Sequence, residues 1–202
     1  MHSSELLLII VFSLTIVTEA NEKKSSENNS SRCKLEKSNG KECSKAKPSI
    51  QWYFDTSASI CLAFKYAGCG GNENRFTTAG ECEEVCIPED YGWCALNTSE
   101  EKDEHGESRT CSVGPEHLPN DTLCSAGYTC KSLAFFAVCC PKEKEELWEK
   151  NMNPICPNGT DLVKVDRGDW QMVLLGKSCD DKFCPVDAEC RKQEILAHCC
   201  MG

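Results

Sequence analysis

Eighteen cysteines are the residues of this 202-residue chain with the most chemistry open to them. A thiol can act as a nucleophile, a metal ligand or half of a disulfide, and number and spacing choose among the three. Six lie between Cys33 and Cys86, with nine, seventeen, seven, twelve and three residues intervening. The other twelve form two sets: Cys94, Cys111, Cys124, Cys130, Cys139 and Cys140, then Cys156, Cys179, Cys184, Cys190, Cys199 and Cys200. Three sets of six leave no odd thiol for catalysis or for pairing between molecules. No Cys-x2-Cys spacing occurs and histidines are few, which argues against zinc. His105, His117 and His198 lie in polar or Cys-rich segments without a nucleophile beside them. The expected chemistry is therefore cross-linking, with no metal, no cofactor and no enzymatic activity.

Cysteine makes up close to nine per cent of the chain, the composition of a disulfide scaffold in an oxidising compartment. Leu6 to Val17 is a mostly apolar run of twelve residues, too short to span a bilayer. With the small residues Thr18 and Ala20 behind it, it reads as a signal peptide over residues 1–20, so the mature protein is expected to be secreted with no membrane partner. Loss of Glu5, Glu19 and His2 with that segment leaves 30 acidic against 22 basic residues, a net charge of −8. Such a balance excludes nucleic acid, which needs clustered cations. Five Asn-x-Ser/Thr sequons, at Asn28, Asn29, Asn97, Asn120 and Asn158, are candidate glycan sites on a secreted chain.

The elements that must hold these cysteines fall into modules. Residues 21–32 carry no apolar side chain and read as a polar linker. Residues 33–86 form the first module, 94–140 the second and 156–200 the third. The last two are repeats of each other: Cys124 to Cys140 and Cys184 to Cys200 both follow C-x5-C-x8-C-C. Adjacent cysteines in each ending are expected to take different partners, because bridging neighbours strains the peptide. Between them, residues 141–155 are a charged spacer, and the Glu and Lys of its first part favour a solvated helix. In the first module, Gln51-Trp-Tyr-Phe-Asp55 and Cys61 to Tyr66 read as the strands of a hairpin. Thr78-Ala-Gly-Glu81 is a capping-box pattern that opens a short helix through Cys82. The module is too small to stand on its core alone, and three disulfides of about 2–4 kcal/mol each would make up the difference.

The first module resembles a Kunitz (pancreatic trypsin inhibitor-type) domain. The resemblance rests on the Trp-Tyr-Phe-Asp strand, Phe64, Tyr66, Gly68-Cys69, Asn74, Phe76 and the Glu81-Cys82-x3-Cys86 ending. It implies a small disulfide-rich α+β fold, a twisted β-hairpin plus a C-terminal helix, with two further cysteine-rich modules behind it. It also implies the pairs Cys33–Cys86, Cys43–Cys69 and Cys61–Cys82. In that family the residues around the second cysteine form a preorganised loop that enters a serine-protease cleft. Carried over, the loop is Glu42, Cys43, Ser44, Lys45 and Ala46. By strict position Ser44 would fill the specificity pocket and suit a small one. If the loop slides, Lys45 would fill it and pair with an acidic pocket, with Ala46 as the small residue that follows. The loop departs from the family pattern: one extra residue precedes Cys43, two more separate it from the hairpin, and Gln51 replaces the usual Arg.

The repeats resemble the cysteine-rich repeat first described in lustrin, an interaction module, and their pairing is not implied by that resemblance. Two functions follow. One is a secreted serine-protease inhibitor or modulator. The other is a non-inhibitory partner of extracellular-matrix or cuticle proteins. The combination of one Kunitz module with two such repeats resembles nematode cuticle proteins and implies a role in cuticle formation or moulting.

Overall fold

The computed structural model describes residues 31–87, 94–112 and 124–202. The expected signal peptide, most of the polar linker, and the sequons at Asn28, Asn29 and Asn120 lie outside these residues.

The first module is built on a hairpin. β1 (Lys41–Glu42) precedes β2 (Ser49–Asp55) and β3 (Ile60–Tyr66), which pair antiparallel from Ser49↔Tyr66 to Asp55↔Ile60. The turn is closed by Asp55, whose Oδ1 accepts from Ser57 Oγ at 2.5 Å and from the Ala58 N–H at 2.8 Å. Strand alternation splits the aromatic run between two cores. Trp52 and Phe54 pack on one face with Cys33, Cys61, Phe76 and Cys82. Tyr53, Leu62, Phe64 and Tyr66 pack on the other. β4 (Gly68–Cys69) returns to β1, and α1 (Ala79–Cys86) closes the module. Thr78 caps α1 by accepting from the Glu81 N–H at 3.1 Å. Glu81 reaches back one residue further than a capping box, to the Thr77 N–H and hydroxyl at 2.9 and 2.8 Å.

The charged segment after the middle module forms α2 (Lys142–Met152), and it is a strut as well as a spacer. At its start, Glu145 accepts from the Ala95 N–H at 2.6 Å and pairs with Lys131 at 2.9 Å. At its end, buried Asn151 accepts from the N–H groups of Ile195 and Leu196, both at 3.2 Å. One helix thus grips the middle module with its first turns and the last module with its final turn. The middle module carries the hairpin β5 (Tyr128–Ser132) and β6 (Ala137–Pro141). The last carries β7 (Lys164–Asp166), β8 (Gln171–Val173), β9 (Leu175–Gly176), β10 (Ala188–Lys192) and β11 (Ala197–Met201).

The two Cys-rich modules share one pairing order: first to sixth, second to fourth, third to fifth. In the middle module these are Cys94–Cys140, Cys111–Cys130 and Cys124–Cys139. In the last they are Cys156–Cys200, Cys179–Cys190 and Cys184–Cys199.

The first and last modules share a sheet. Its order is β10–β11–β9–β3–β2, with β9 bridging antiparallel to β11 and parallel to β3 at Ala63↔Gly176. Leu175 and Leu196 complete the core of Tyr53, Leu62, Phe64 and Tyr66. Gly176 is needed at the crossing, because a Cβ there would run into the Phe183 ring. Three ion pairs frame the junction: Arg167 with Glu83, Lys37 with Asp181, and Lys177 with Asp55 at 3.2 Å.

Candidate functional site

The loop between β1 and β2 is exposed from Ser44 to Pro48, with Glu42 exposed ahead of it and Cys43 half-buried. Its first foot is fixed twice. Cys43 is bonded to Cys69, and Lys41 and Glu42 pair with Cys69 and Gly68 in the β1–β4 ladder. Two glycines with left-handed backbones allow this close approach. A Cβ on Gly40 (φ +68°) would run into the Cys69 carbonyl and the Tyr66 ring. A Cβ on Gly68 (φ +114°) would lie 2.6 Å from the Ala46 carbonyl oxygen, so the far side of the loop rests directly on the tip of the module.

Behind the loop the scaffold is polar and mostly hydrogen-bonded, with the buried Arg75 Nε left without a hydrogen-bond partner among the described residues. The Asn39 carbonyl accepts from the Ala67 N–H at 2.8 Å, and Asn39 Nδ2 donates to the Lys65 carbonyl at 3.1 Å. The Tyr66 hydroxyl donates to the Gly70 carbonyl at 2.8 Å, and the Arg75 guanidinium lies 4.1 Å from the Tyr66 ring centre. Gln51, at the position where the family carries Arg, accepts from Arg75 Nη1 at 3.1 Å. The Cys33–Cys86 and Cys61–Cys82 disulfides hold α1 to the start of the first module and to the hairpin.

Ser44, Lys45 and Ala46 stand exposed on this frame, so both pocket candidates reach solvent. Lys41, Lys45 and Lys47 outnumber Glu42, and the segment is cationic. One neighbour was not legible in the sequence. The turn Cys179–Asp181 of the last module stands beside the loop, and buried Asp181 pairs with Lys37. Nothing in the cysteine spacing signals that approach. At the opposite end of the hairpin, burial pulls the Asp55 carboxyl upward. Hydrogen bonds from Ser57 and Ala58 and the charge of Lys177 outweigh it and hold Asp55 below the usual range. Burial first, and then the charges of Asp55 and Asp181, push the Tyr53 phenol well above its ordinary value.

The remaining candidates do not assemble a reactive centre among the described residues. His105 is exposed and lies 3.5 Å from Glu104. His198 is buried, and neither ring nitrogen has a hydrogen-bond partner among the described residues. Ligand-type groups do converge at Cys111, Cys124 and Cys139, at Cys94, Cys140 and Glu145, and at Cys156, His198 and Cys200. Every sulfur in them belongs to a disulfide, so no thiolate is on offer. Of the sequons, Asn97 and Asn158 are both exposed, and each sits with a left-handed backbone in the short turn that follows the first cysteine of its module. No described helix is long and apolar enough to cross a membrane.

The Kunitz/Bovine pancreatic trypsin inhibitor domain matches residues 32–87. The chain is 44% identical to the major allergen Ani s 1 of Anisakis simplex over 172 residues, which cover 83% of this chain and 86% of the relative. It is 31% identical over 168 residues to the BPTI/Kunitz inhibitor domain-containing protein C02F12.5 of Caenorhabditis elegans, covering 83% and 88% of the two chains. A shorter match, 49% identical over 49 residues, covers 24% of this chain and 75% of the male accessory gland serine protease inhibitor of Drosophila funebris. With relatives matched along most of their length and the domain placed on the braced loop, the chain belongs to the Kunitz/BPTI domain-containing family.

Proposed function

We propose that this chain is a secreted, non-enzymatic modulator of S1-class serine proteases that works through Glu42, Cys43, Ser44, Lys45 and Ala46. The observation that carries the reading is the loop itself: exposed, cationic, and clamped at both sides by Cys43–Cys69 and by Ala46 on Gly68. A loop already held in one shape loses little entropy on docking, which is the source of tight inhibition by such scaffolds. The shorter relative named as a serine protease inhibitor supports the same class of target. The middle and last modules read as lustrin-type repeats, supported by their common ending and common pairing order. The architecture resembles the nematode blistered-cuticle Kunitz-type protein. That resemblance is the ground for proposing a role in cuticle formation or moulting.

Titration of the purified, oxidised full chain against trypsin, chymotrypsin and elastase tests the reading. Stoichiometric loss of trypsin activity that disappears in Lys45→Ala assigns the pocket to Lys45. Loss of elastase activity, insensitive to that change, assigns it to Ser44. Unchanged or increased activity of all three enzymes would sink the inhibitor reading.

The enlargement of the loop by three residues favours a second reading, a non-inhibitory partner of cuticle or matrix proteins. That outcome requires binding to a cuticle extract to survive Ser44→Ala and Lys45→Ala together.

A further inference from the structure

The loop has a neighbour that any protease docked on it must meet. A cleft of about 230 Å³ separates the feet of the loop from the last module. Asn39, Glu42, Pro48 and Lys65 line it from the first module, and Asp181 and Lys182 from the last. Glu42 and Pro48 bound the loop itself, so the cleft opens where the loop begins and ends. The last module presents two exposed charges there, Asp180 and Lys182.

The wall formed by the last module is fixed in place. Ser178 caps the turn, its hydroxyl accepting from the Asp180 N–H at 3.2 Å while its own N–H donates to Asp181 Oδ2 at 3.3 Å. Cys179 is bonded to Cys190 in β10. Asp181 is 3% exposed and paired with Lys37, which stands just ahead of the loop. One residue before the Ser178 cap, Lys177 donates to Asp55 and Ser57 at 3.2 and 2.7 Å. β9, immediately upstream, belongs to the same sheet as β3. Asp180 and Lys182 therefore keep one position relative to Ser44–Ala46.

A specific protein interface covers about 800 Å² on each partner, more than one short loop supplies, so a docked protease extends over what lies beside it. We infer that Asp180 and Lys182 of the last module form a second contact for the protease bound at the loop and help select it by the charge of its surface loops. This inference rests on the proposed inhibitor function. It assigns the last module a part in protease recognition, where the resemblance implies only an interaction module of no stated partner.

Charges at the edge of an interface act mainly on the association rate and its salt dependence. The test uses the full oxidised chain, its Lys182→Glu and Asp180→Lys variants, and whichever proteases of the panel the parent inhibits. Both sites are exposed, and equal melting temperatures check that the fold is kept. The two reversals are expected to move the association rate constant in opposite directions, each by about threefold to tenfold at low salt, and less at high salt. Lys182→Gln should move it in the same direction as Lys182→Glu, by less. Rates within twofold of the parent for every inhibited protease would overturn the inference and leave the inhibitor function standing. A parent that inhibits no protease overturns both, and that result appears before any variant is measured.

Discussion

Two buried polar residues show how much a single side chain decides here. Asn74 is fully buried, yet every part of its amide is used. It accepts from the Phe54 N–H at 2.9 Å and donates to the carbonyls of Leu35 and Phe54 at 2.7 and 3.0 Å. Asn74→Ala would leave one N–H and two carbonyls without this partner, so a loss of about 2–4 kcal/mol is expected. A lower urea midpoint with an unchanged slope would register it. His198 is the opposite case, buried with both nitrogens unpartnered among the described residues. Burial, and then Arg191 across the strand pair, hold its pKa below the ordinary imidazole value. The unfolded chain therefore binds a proton near pH 6.5 that the folded chain refuses, and stability should fall as pH drops below about 6.5 until the folded imidazole titrates. In the C-x8-C-C frame Val138 holds the matching place in the middle module. His198→Val should flatten the pH dependence of the melting temperature between pH 7 and pH 5. An unchanged slope there would assign it to other groups.

At the scale of elements, local signals were legible and long-range ones were not. The aromatic alternation of Gln51–Asp55 announced a strand, and Thr78-x-x-Glu81 announced a helix start, because period and capping are properties of neighbours in sequence. The Glu-Lys run of residues 142–150 announced a helix for the same reason, but not its grip on two modules. That grip depends on Asn151, an unremarkable polar residue until Ile195 and Leu196 are brought to it across more than forty residues. The exposed cationic loop was legible through its cysteine frame. Its neighbour Cys179–Asp181 was not, since nothing local marks which surface a turn will face. The repeat frame also hides a difference between its two hairpin tips. Ile195-Leu196 and Phe135-Phe136 occupy the same places in C-x8-C-C. Leu196 is buried in the first module's core, whereas Phe135 and Phe136 are 80% and 58% exposed.

Taken whole, the molecule links its first and last modules through one five-stranded sheet and one shared apolar core. The two should therefore melt together. Leu196→Ala removes the side chain that the last module places among Leu62, Phe64 and Tyr66, at a cost of about 2–5 kcal/mol. Calorimetry on the oxidised full chain should show a transition shared by both modules that the substitution lowers as a unit. Separate transitions, with only one displaced, would mean that the sheet is continuous in geometry but not in cooperativity.

That shared core also sets an order of events during synthesis. The face made by Tyr53, Leu62, Phe64 and Tyr66 is complete early in the chain, but its cover ends at Leu196, six residues from the C-terminus. At the ~5–20 residues per second of a ribosome, the face waits on the order of ten seconds for its last piece. A chain stopped short of that residue carries an uncovered aromatic surface, so a truncated product would be recognisable to the folding machinery by its stickiness alone.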